Sequence, residues 1–250
     1  MVNLILDMID CEPEIPSNKY FYEGKCVPRV TEILGIINDE YLIQWANSMG
    51  FKHKSYESIL NQAAAIGTIV HDLCDRIMRD LPVDLTCFDR SISTNIFNCV
   101  TAFKSWWANL TTQYNVEIVF IEQELVCEYF GGTCDVLLKI NGRYYLGDFK
   151  TSNHIGYKYY MQLAAYRYIL KEKMDIELDG AFILQLSKTS CIYKDYVMNF
   201  GIPVHLQFIE DCFNCMTGAV FLYYNKLNLV QNLLENQNEL TKGGYLECQN

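Results

Sequence analysis

Apolar residues recur every three or four positions in several long segments, which is the period of an amphipathic helix. Within residues 57–79, for example, Ile59, Ala63 and Ile66 would share one buried face. The same period predicts further helices over residues 30–45, 90–113, 158–173 and 204–234. Thr31 could cap the first of these by accepting a free amide proton of its opening turn.

From residue 116 the period changes to two, which is the period of a half-buried strand. The alternation predicts one or two strands over residues 116–129, and further strands over residues 133–140, 143–149, 180–187 and 191–198. Asn141-Gly142 favours a two-residue type I′ hairpin, because both turn residues need positive φ angles. Strand 143–149, helix 158–173 and strand 180–187 form a plausible right-handed βαβ crossover. These elements predict an α/β fold, with a central mixed sheet flanked by helices and a helical N-terminal part.

Length and composition are typical of one folded domain over residues 1–250. Half of the residues are apolar and a fifth are charged, so the chain can bury a sizeable core and is not expected to be disordered. Along the chain, we expect an irregular lead-in, a mainly helical part, a sheet core and a closing helix, over residues 1–20, 21–115, 116–200 and 203–236 respectively.

Charge and cysteine content narrow the class of protein further. The net charge of −10 argues against a broad basic surface for duplex DNA, although a local nucleic-acid groove remains compatible with it. No segment approaches the ~18 uninterrupted apolar residues of a membrane span, and the first ten residues make a poor signal peptide. The 11 cysteines are irregularly spaced and are interpreted as reduced thiols. We therefore expect no membrane partner and a cytoplasmic location, in the host cytoplasm if the protein is viral.

The hairpin around residues 141–142 carries the main candidate chemistry, because its register places Asp135 opposite Asp148 on one face. The flanking residues are apolar, so two ionised carboxylates there would repel each other strongly. One carboxyl could stay protonated, a basic side chain could neutralise the pair, or Mg²⁺ or Mn²⁺ could bind between the oxygens. Lys150 projects from the same face as Asp148. An exposed hairpin with a simple Asp–Lys ion pair is the non-functional alternative.

Residues outside the hairpin could complete a metal site. Glu122 and Glu124 share a face of a neighbouring strand, and the pattern does not choose between them. Gly67, His71 and Asp75 are four residues apart on one helix stripe. His71 could ligate a metal with Asp75 as a ligand or supporting partner, or Asp75 could simply satisfy a half-buried histidine.

Helix 158–173 carries two more candidates, Gln162 and Tyr166, which are also four residues apart. A glutamine amide and a tyrosine hydroxyl can contact a phosphate or orient a water molecule. In isolation, residues of these types at this spacing are more often ordinary helix-surface residues.

Taken in order, these segments resemble the PD-(D/E)xK nuclease superfamily, specifically its RecB-like exonuclease branch, which includes mitochondrial genome maintenance exonuclease and small phage exonucleases. The segments that carry the resemblance are VPRVTEILG (27–35), GTIVHDLCD (67–75), IEQELVCEYFGGTCDV (121–136), YYLGDFKTS (144–152) and YMQLAAYRY (160–168). The chain departs from the family pattern at Asp75, where a glutamate is more usual. It also has GTC in place of the usual proline before the first aspartate. The resemblance implies a restriction-endonuclease-like core.

The resemblance also implies a role for each matching residue. The implied metal ligands are Asp135, Asp148, the backbone carbonyl of Phe149, His71 and Glu122, which fits the family pattern better than Glu124. Lys150 would position and polarise the attacking water. Gln162, Tyr166 and Thr151 would contact the substrate.

The activity implied by the resemblance is hydrolysis of phosphodiester bonds with one or two Mg²⁺ or Mn²⁺ ions. An exonuclease is favoured, acting on single-stranded or end-exposed DNA in recombination, replication or repair, including in a phage, with recombination or replication proteins as candidate partners. Two other classes remain as alternatives. One is a nucleic-acid- or protein-binding relative without catalysis, and the other is a different metal-dependent nuclease fold such as the RNase H-like enzymes.

An iron–sulfur nuclease of the CRISPR-adaptation type is a further alternative. Cys212 and Cys215 have a C-x2-C spacing, with Cys11 or Cys26 upstream. The next late cysteine, Cys248, is too far along the chain for the usual cluster spacing. Because Cys212 and Cys215 fall in an amphipathic helix, where buried thiols are common, we expect no cluster.

Overall fold

The computed structural model describes residues 20–38, 40–52 and 55–235. Its helices are α1 (Val30–Leu34), α2 (Glu40–Phe51), α3 (Tyr56–Met78), α4 (Arg90–Gln113), α5 (Tyr157–Met174) and α6 (Pro203–Glu235). Its strands are β1 (Tyr20–Tyr22), β2 (Lys25–Val27), β3 (Val116–Val126), β4 (Gly131–Ile140), β5 (Arg143–Lys150), β6 (Gly180–Leu186) and β7 (Tyr193–Asn199). Most of residues 1–20, expected to form a lead-in, lie outside the described residues.

The main sheet has five strands in the order β3-β4-β5-β6-β7. Neighbouring strands are antiparallel except β5 and β6, which are parallel and are joined through α5. The predicted β5–α5–β6 unit is therefore confirmed as a parallel crossover. The coarse expectation of an α/β fold with a mixed sheet flanked by helices is confirmed as well.

The β4–β5 hairpin has the register that its turn predicts. Ile140 pairs with Arg143, and pairing continues to Val136 and Gly147. Asn141 and Gly142 both have positive φ angles, of 50° and 81°, as a type I′ turn requires. The turn chemistry therefore determines which residues of the two strands lie opposite each other.

Helices cover both faces of the sheet. Helices α3 and α4 pack on one face, while α1, α5 and α6 pack on the other. Along β4, Val136 and Leu138 lie in the core beneath α3 and α4, and Leu137 lies in the core on the opposite face, as the two-residue period of a strand requires. Helix α5 lies between the sheet and α6 and is buried on most sides, including Ala164 and Ala165.

The segment before α3 differs from its prediction. The single helix predicted over residues 30–45 is wrong, because α1 ends at Leu34 and α2 begins at Glu40. Thr31 lies within α1 and is not its cap; Arg29 occupies the N-cap position without a side-chain hydrogen bond. Gly35 follows α1 directly, and glycine is a poor residue for continuing a helix.

A short hairpin formed by β1 and β2 was not predicted. Each strand has only three residues, too few for an alternating pattern to stand out. The turn between them is Glu23-Gly24, both with positive φ angles. In the part of the chain that the structure describes, no helix has the length and hydropathy needed to cross a membrane.

Candidate metal centre

Asp135 and Asp148 occupy the position just beyond the last regular pair of the β4–β5 hairpin. Both are buried, with exposed fractions of 8% and 2%. The backbone N–H of Phe149 donates a hydrogen bond to Asp135 Oδ2 at 2.5 Å, which ties the first carboxylate to the strand carrying the second. The hairpin thus brings two acids together at the end of two central strands, in surroundings where their charges interact strongly.

Lys150 neutralises one of these acids. Its Nζ lies 2.6 Å from each oxygen of Asp148 and 5.0 Å from the centre of the Tyr159 ring. The ammonium therefore contacts both oxygens of the buried carboxylate and donates a hydrogen bond to Oδ1. Burial, reinforced by the charge of Asp135, outweighs the effect of Lys150 and raises the pKa of Asp148 to about 6.

His71 neutralises the other acid. It projects from α3, and its Nδ1 lies 3.3 Å from Asp135 Oδ1. Burial alone would lower the pKa of His71, but the charge of Asp135 and the hydrogen bond to it raise this pKa to about 9. The same contact keeps the pKa of Asp135 below its usual value although burial opposes this. The alternative in which Asp75 satisfies His71 is wrong, since the carboxylate that contacts His71 is that of Asp135, and Asp75 is paired with Arg79.

Glu122 approaches the same place from β3. Ile121 pairs with Val136 and Gln123 with Cys134, so Glu122 lies opposite Asp135. Its φ angle is 52°, a left-handed conformation that is unusual for a residue with a side chain. Glu122 as a whole is exposed, but desolvation of its carboxyl and the charge of Asp135 raise the pKa of Glu122 to about 7.

Three of these residues form a group that could hold a metal ion. One ligand atom each from His71, Glu122 and Asp135 lies within 4.8 Å of the other two. Glu124 lies opposite Thr133 and is not a member of the group. The structure therefore favours Glu122 over Glu124 as the ligand from this strand.

A divalent cation suits this donor set. Two carboxylates and one imidazole are ligands for Mn²⁺ and related ions, and Mg²⁺ prefers the carboxylate oxygens. The buried Asp148 carboxylate, which Lys150 Nζ contacts at 2.6 Å, adds a further acidic group beside this donor set. An adjoining cleft of about 440 Å³ gives access to the group. It is lined by Gly67, Thr68, His71, Asp72, Asp75 and Glu122.

Gln162 and Tyr166 are buried rather than on the helix surface. The Gln162 amide donates to the Tyr166 hydroxyl at 3.2 Å. That hydroxyl lies against Gly132, where a Cβ atom would come within 2.3 Å of it. The structure thus places both residues beneath β4 as a bonded pair, and their contact with substrate stays a prediction.

Thr151 and Gly67 face each other where α3 meets the end of β5. Thr151 is 8% exposed, and a Cβ atom at Gly67 would lie 3.6 Å from its hydroxyl. That distance is an ordinary van der Waals contact, so Gly67 is not required by close packing there. The role of Thr151 in substrate binding also stays a prediction.

Two residues with a place at this site were not predicted. Tyr159 lies over the Lys150 ammonium, and Arg79 pairs with Asp75 and reaches the backbone of β3. A signal for Arg79 was present in the sequence, because it continues the four-residue spacing of His71 and Asp75. Tyr159 had no such signal, since it is one of many aromatic residues in α5.

The cysteines of the C-x2-C motif lie on α6, where Cys212 is buried and Cys215 is exposed. In the described ranges, the group of His71, Glu122 and Asp135 is the single one that meets the metal-ligand distances, and it contains no cysteine. Cys11 and Cys248 fall outside those ranges.

The sequence matches no model of a known protein family, and no curated protein is significantly similar to it.

Proposed function

We propose that this protein is a metal-dependent phosphodiesterase. The observation that carries the proposal is the convergence of ligand atoms from His71, Glu122 and Asp135 within 4.8 Å, beside the buried ion pair of Asp148 and Lys150. A metal site with an adjacent lysine provides what phosphodiester hydrolysis needs: a place for the phosphate, an activated water and positive charge for the transition state.

Each residue has a role in this proposal. Asp135, Glu122 and His71 would hold the ion, and Asp148 would contribute a carboxylate oxygen. When bound, the ion would polarise the phosphate and lower the pKa of a water molecule. Lys150 would position that water and offset the negative charge that builds up on the phosphate. His71 ligates a metal only in its neutral form. Metal binding must therefore release the proton that the charge of Asp135 favours on His71.

We propose more particularly that the substrate is DNA and that the enzyme is an exonuclease using Mg²⁺ or Mn²⁺ on single strands or exposed ends. This choice is supported by the resemblance of residues 27–35, 67–75, 121–136, 144–152 and 160–168 to the RecB-like branch. A part in recombination, replication or repair is proposed on the same basis, and a cytoplasmic location on the irregular spacing of the cysteines in the sequence.

The test is incubation of end-labelled single- and double-stranded DNA with the purified protein and Mg²⁺ or Mn²⁺. We expect shortening from one end, abolished by EDTA and by Asp135→Asn, Asp148→Asn or Glu122→Gln. Glu124→Gln is the matched control, because it removes a carboxylate two residues away on the same strand and should retain full activity.

The outcomes separate the remaining classes. Internal cuts would identify an endonuclease and exclude the exonuclease proposal. Mn²⁺ binding without any cleavage would favour a non-catalytic binding protein. Undiminished cleavage by Asp148→Asn would contradict the site itself.

A further inference from the structure

A stripe of three polar residues runs along one side of helix α3 to its C-cap. His71, Asp75 and Arg79 form it and are spaced four apart. His71 contacts Asp135 of β4. The Asp75 carboxylate pairs with the Arg79 guanidinium, which also donates to the backbone carbonyl of Ile121 in β3 at 3.4 Å. The stripe thus contacts the two strands that carry Glu122 and Asp135.

The carbonyl that Arg79 contacts belongs to the peptide group immediately before Glu122. The orientation of this peptide sets the φ angle of Glu122, which is 52°. An extended strand conformation, which any side chain prefers to a left-handed one, would rotate the peptide and turn the Glu122 carboxylate away from Asp135. A donor fixed to the Ile121 carbonyl opposes that rotation.

Asp75 holds Arg79 in the position from which it reaches β3. The two side chains form the ion pair, and the Arg79 backbone N–H also bonds to the Asp75 carbonyl at 3.0 Å. Arg79 follows the last residue of α3, where its side chain is 48% exposed. With its carboxylate engaged by Arg79, Asp75 is not among the residues whose ligand atoms converge.

We propose that Asp75 and Arg79 are positioning residues that hold Glu122 against His71 and Asp135, and that Asp75 is not itself a metal ligand. This inference rests on the proposed metal centre and gives Arg79 a role in it. Because the ion pair is largely at the surface, its removal should affect global stability little. The metal site should respond instead.

The experiment measures the Mn²⁺ affinity by calorimetry for the full chain and for the single variants Arg79→Met, Asp75→Asn and Glu122→Gln. It also measures the affinity of two double variants, which combine Arg79→Met with Glu122→Gln and with Asp75→Asn. We expect about a tenfold loss of affinity for Arg79→Met, the lower end for residues that orient metal ligands. Lys171→Met is the matched control. It removes the exposed ion pair between Lys171 of α5 and Glu177, and it should leave the affinity for Mn²⁺ unchanged. Urea unfolding should show a cooperative transition for every single variant, as for the wild-type chain, which indicates that each one is folded.

The paired variants distinguish positioning from direct ligation. If Arg79 acts through Glu122, Arg79→Met should change affinity less than about twofold once Glu122 is already glutamine. Likewise, Asp75→Asn should add nothing to Arg79→Met. Additive losses in either pair would overturn the proposal, as would unchanged affinity in Arg79→Met when the wild-type chain binds Mn²⁺. Absence of binding by the wild-type chain would overturn both this inference and the proposed function.

Discussion

The buried pair of Lys150 and Asp148 allows a quantitative prediction about Lys150→Met. Asp148 is 2% exposed and the Lys150 side chain is 16% exposed, so the pair belongs to the buried class. Removing one partner of such a pair costs about 3–5 kcal/mol, because the other charge is left uncompensated in the interior. An exposed pair would cost at most about 1 kcal/mol. We therefore expect Lys150→Met to lower the free energy of unfolding by roughly 3–5 kcal/mol at pH 8.

The dependence on pH follows from Asp148. Its pKa in the folded protein is about 6, above the ordinary 3.8, so ionisation destabilises the fold as the pH rises between these values. Without Lys150 this pKa would rise further. The loss in Lys150→Met should therefore be largest above pH 6 and should shrink towards pH 4, where Asp148 is protonated.

Urea unfolding in EDTA, followed by circular dichroism at several pH values, measures this loss. The double variant Asp148→Asn, Lys150→Met should recover most of the stability at pH 8, because neither residue of the pair then carries an uncompensated charge. Lys171→Met provides the surface comparison. The reasoning is refuted if Lys150→Met is no less stable than Lys171→Met, or if the double variant is as unstable as Lys150→Met.

Two further predictions concern the metal centre and the packing beneath it. Because the pKa values of His71 and Glu122 are about 9 and about 7, Mn²⁺ must displace protons to bind at neutral pH. The affinity for Mn²⁺ should therefore rise from pH 6 to pH 9, and calorimetry in buffers of different ionisation enthalpy should detect the released protons. An affinity that does not change with pH would contradict these protonation states. Gly132→Ala would place a Cβ atom 2.3 Å from the Tyr166 hydroxyl, so we expect it to lower the free energy of unfolding in urea by about 1–3 kcal/mol. Adding Tyr166→Phe should restore part of this free energy. An equal loss with tyrosine and with phenylalanine at position 166 would contradict the assigned clash.

The part of the site that the sequence predicts well is local. The Asn141-Gly142 turn determines the register of the hairpin, and Asp135 and Asp148 lie only six residues from it. The amino-acid pattern alone is therefore enough to predict that Asp135, Asp148 and Lys150 lie close together. The β5–α5–β6 unit was predictable for a similar reason, since short connections between strongly patterned segments leave few topologies.

The rest depends on features that side-chain patterns do not encode. Glu122 and Glu124 share a face in any regular strand, and only the left-handed backbone at Glu122 and its place opposite Asp135 distinguish them. The burial of Gln162 and Tyr166 was equally hidden. Helix α5 packs against both the sheet and α6, so its apolar residues do not form one stripe that would reveal an exposed face.

The backbone of Glu122 has a consequence for protein engineering. A left-handed residue with a side chain costs roughly 1–2 kcal/mol, whereas glycine adopts that conformation freely. Replacing Glu122 by glycine would also remove a carboxylate that Asp135 repels. A library selected for thermal tolerance alone would therefore tend to discard this glutamate, and the damage would become visible only when the survivors were challenged to bind a metal.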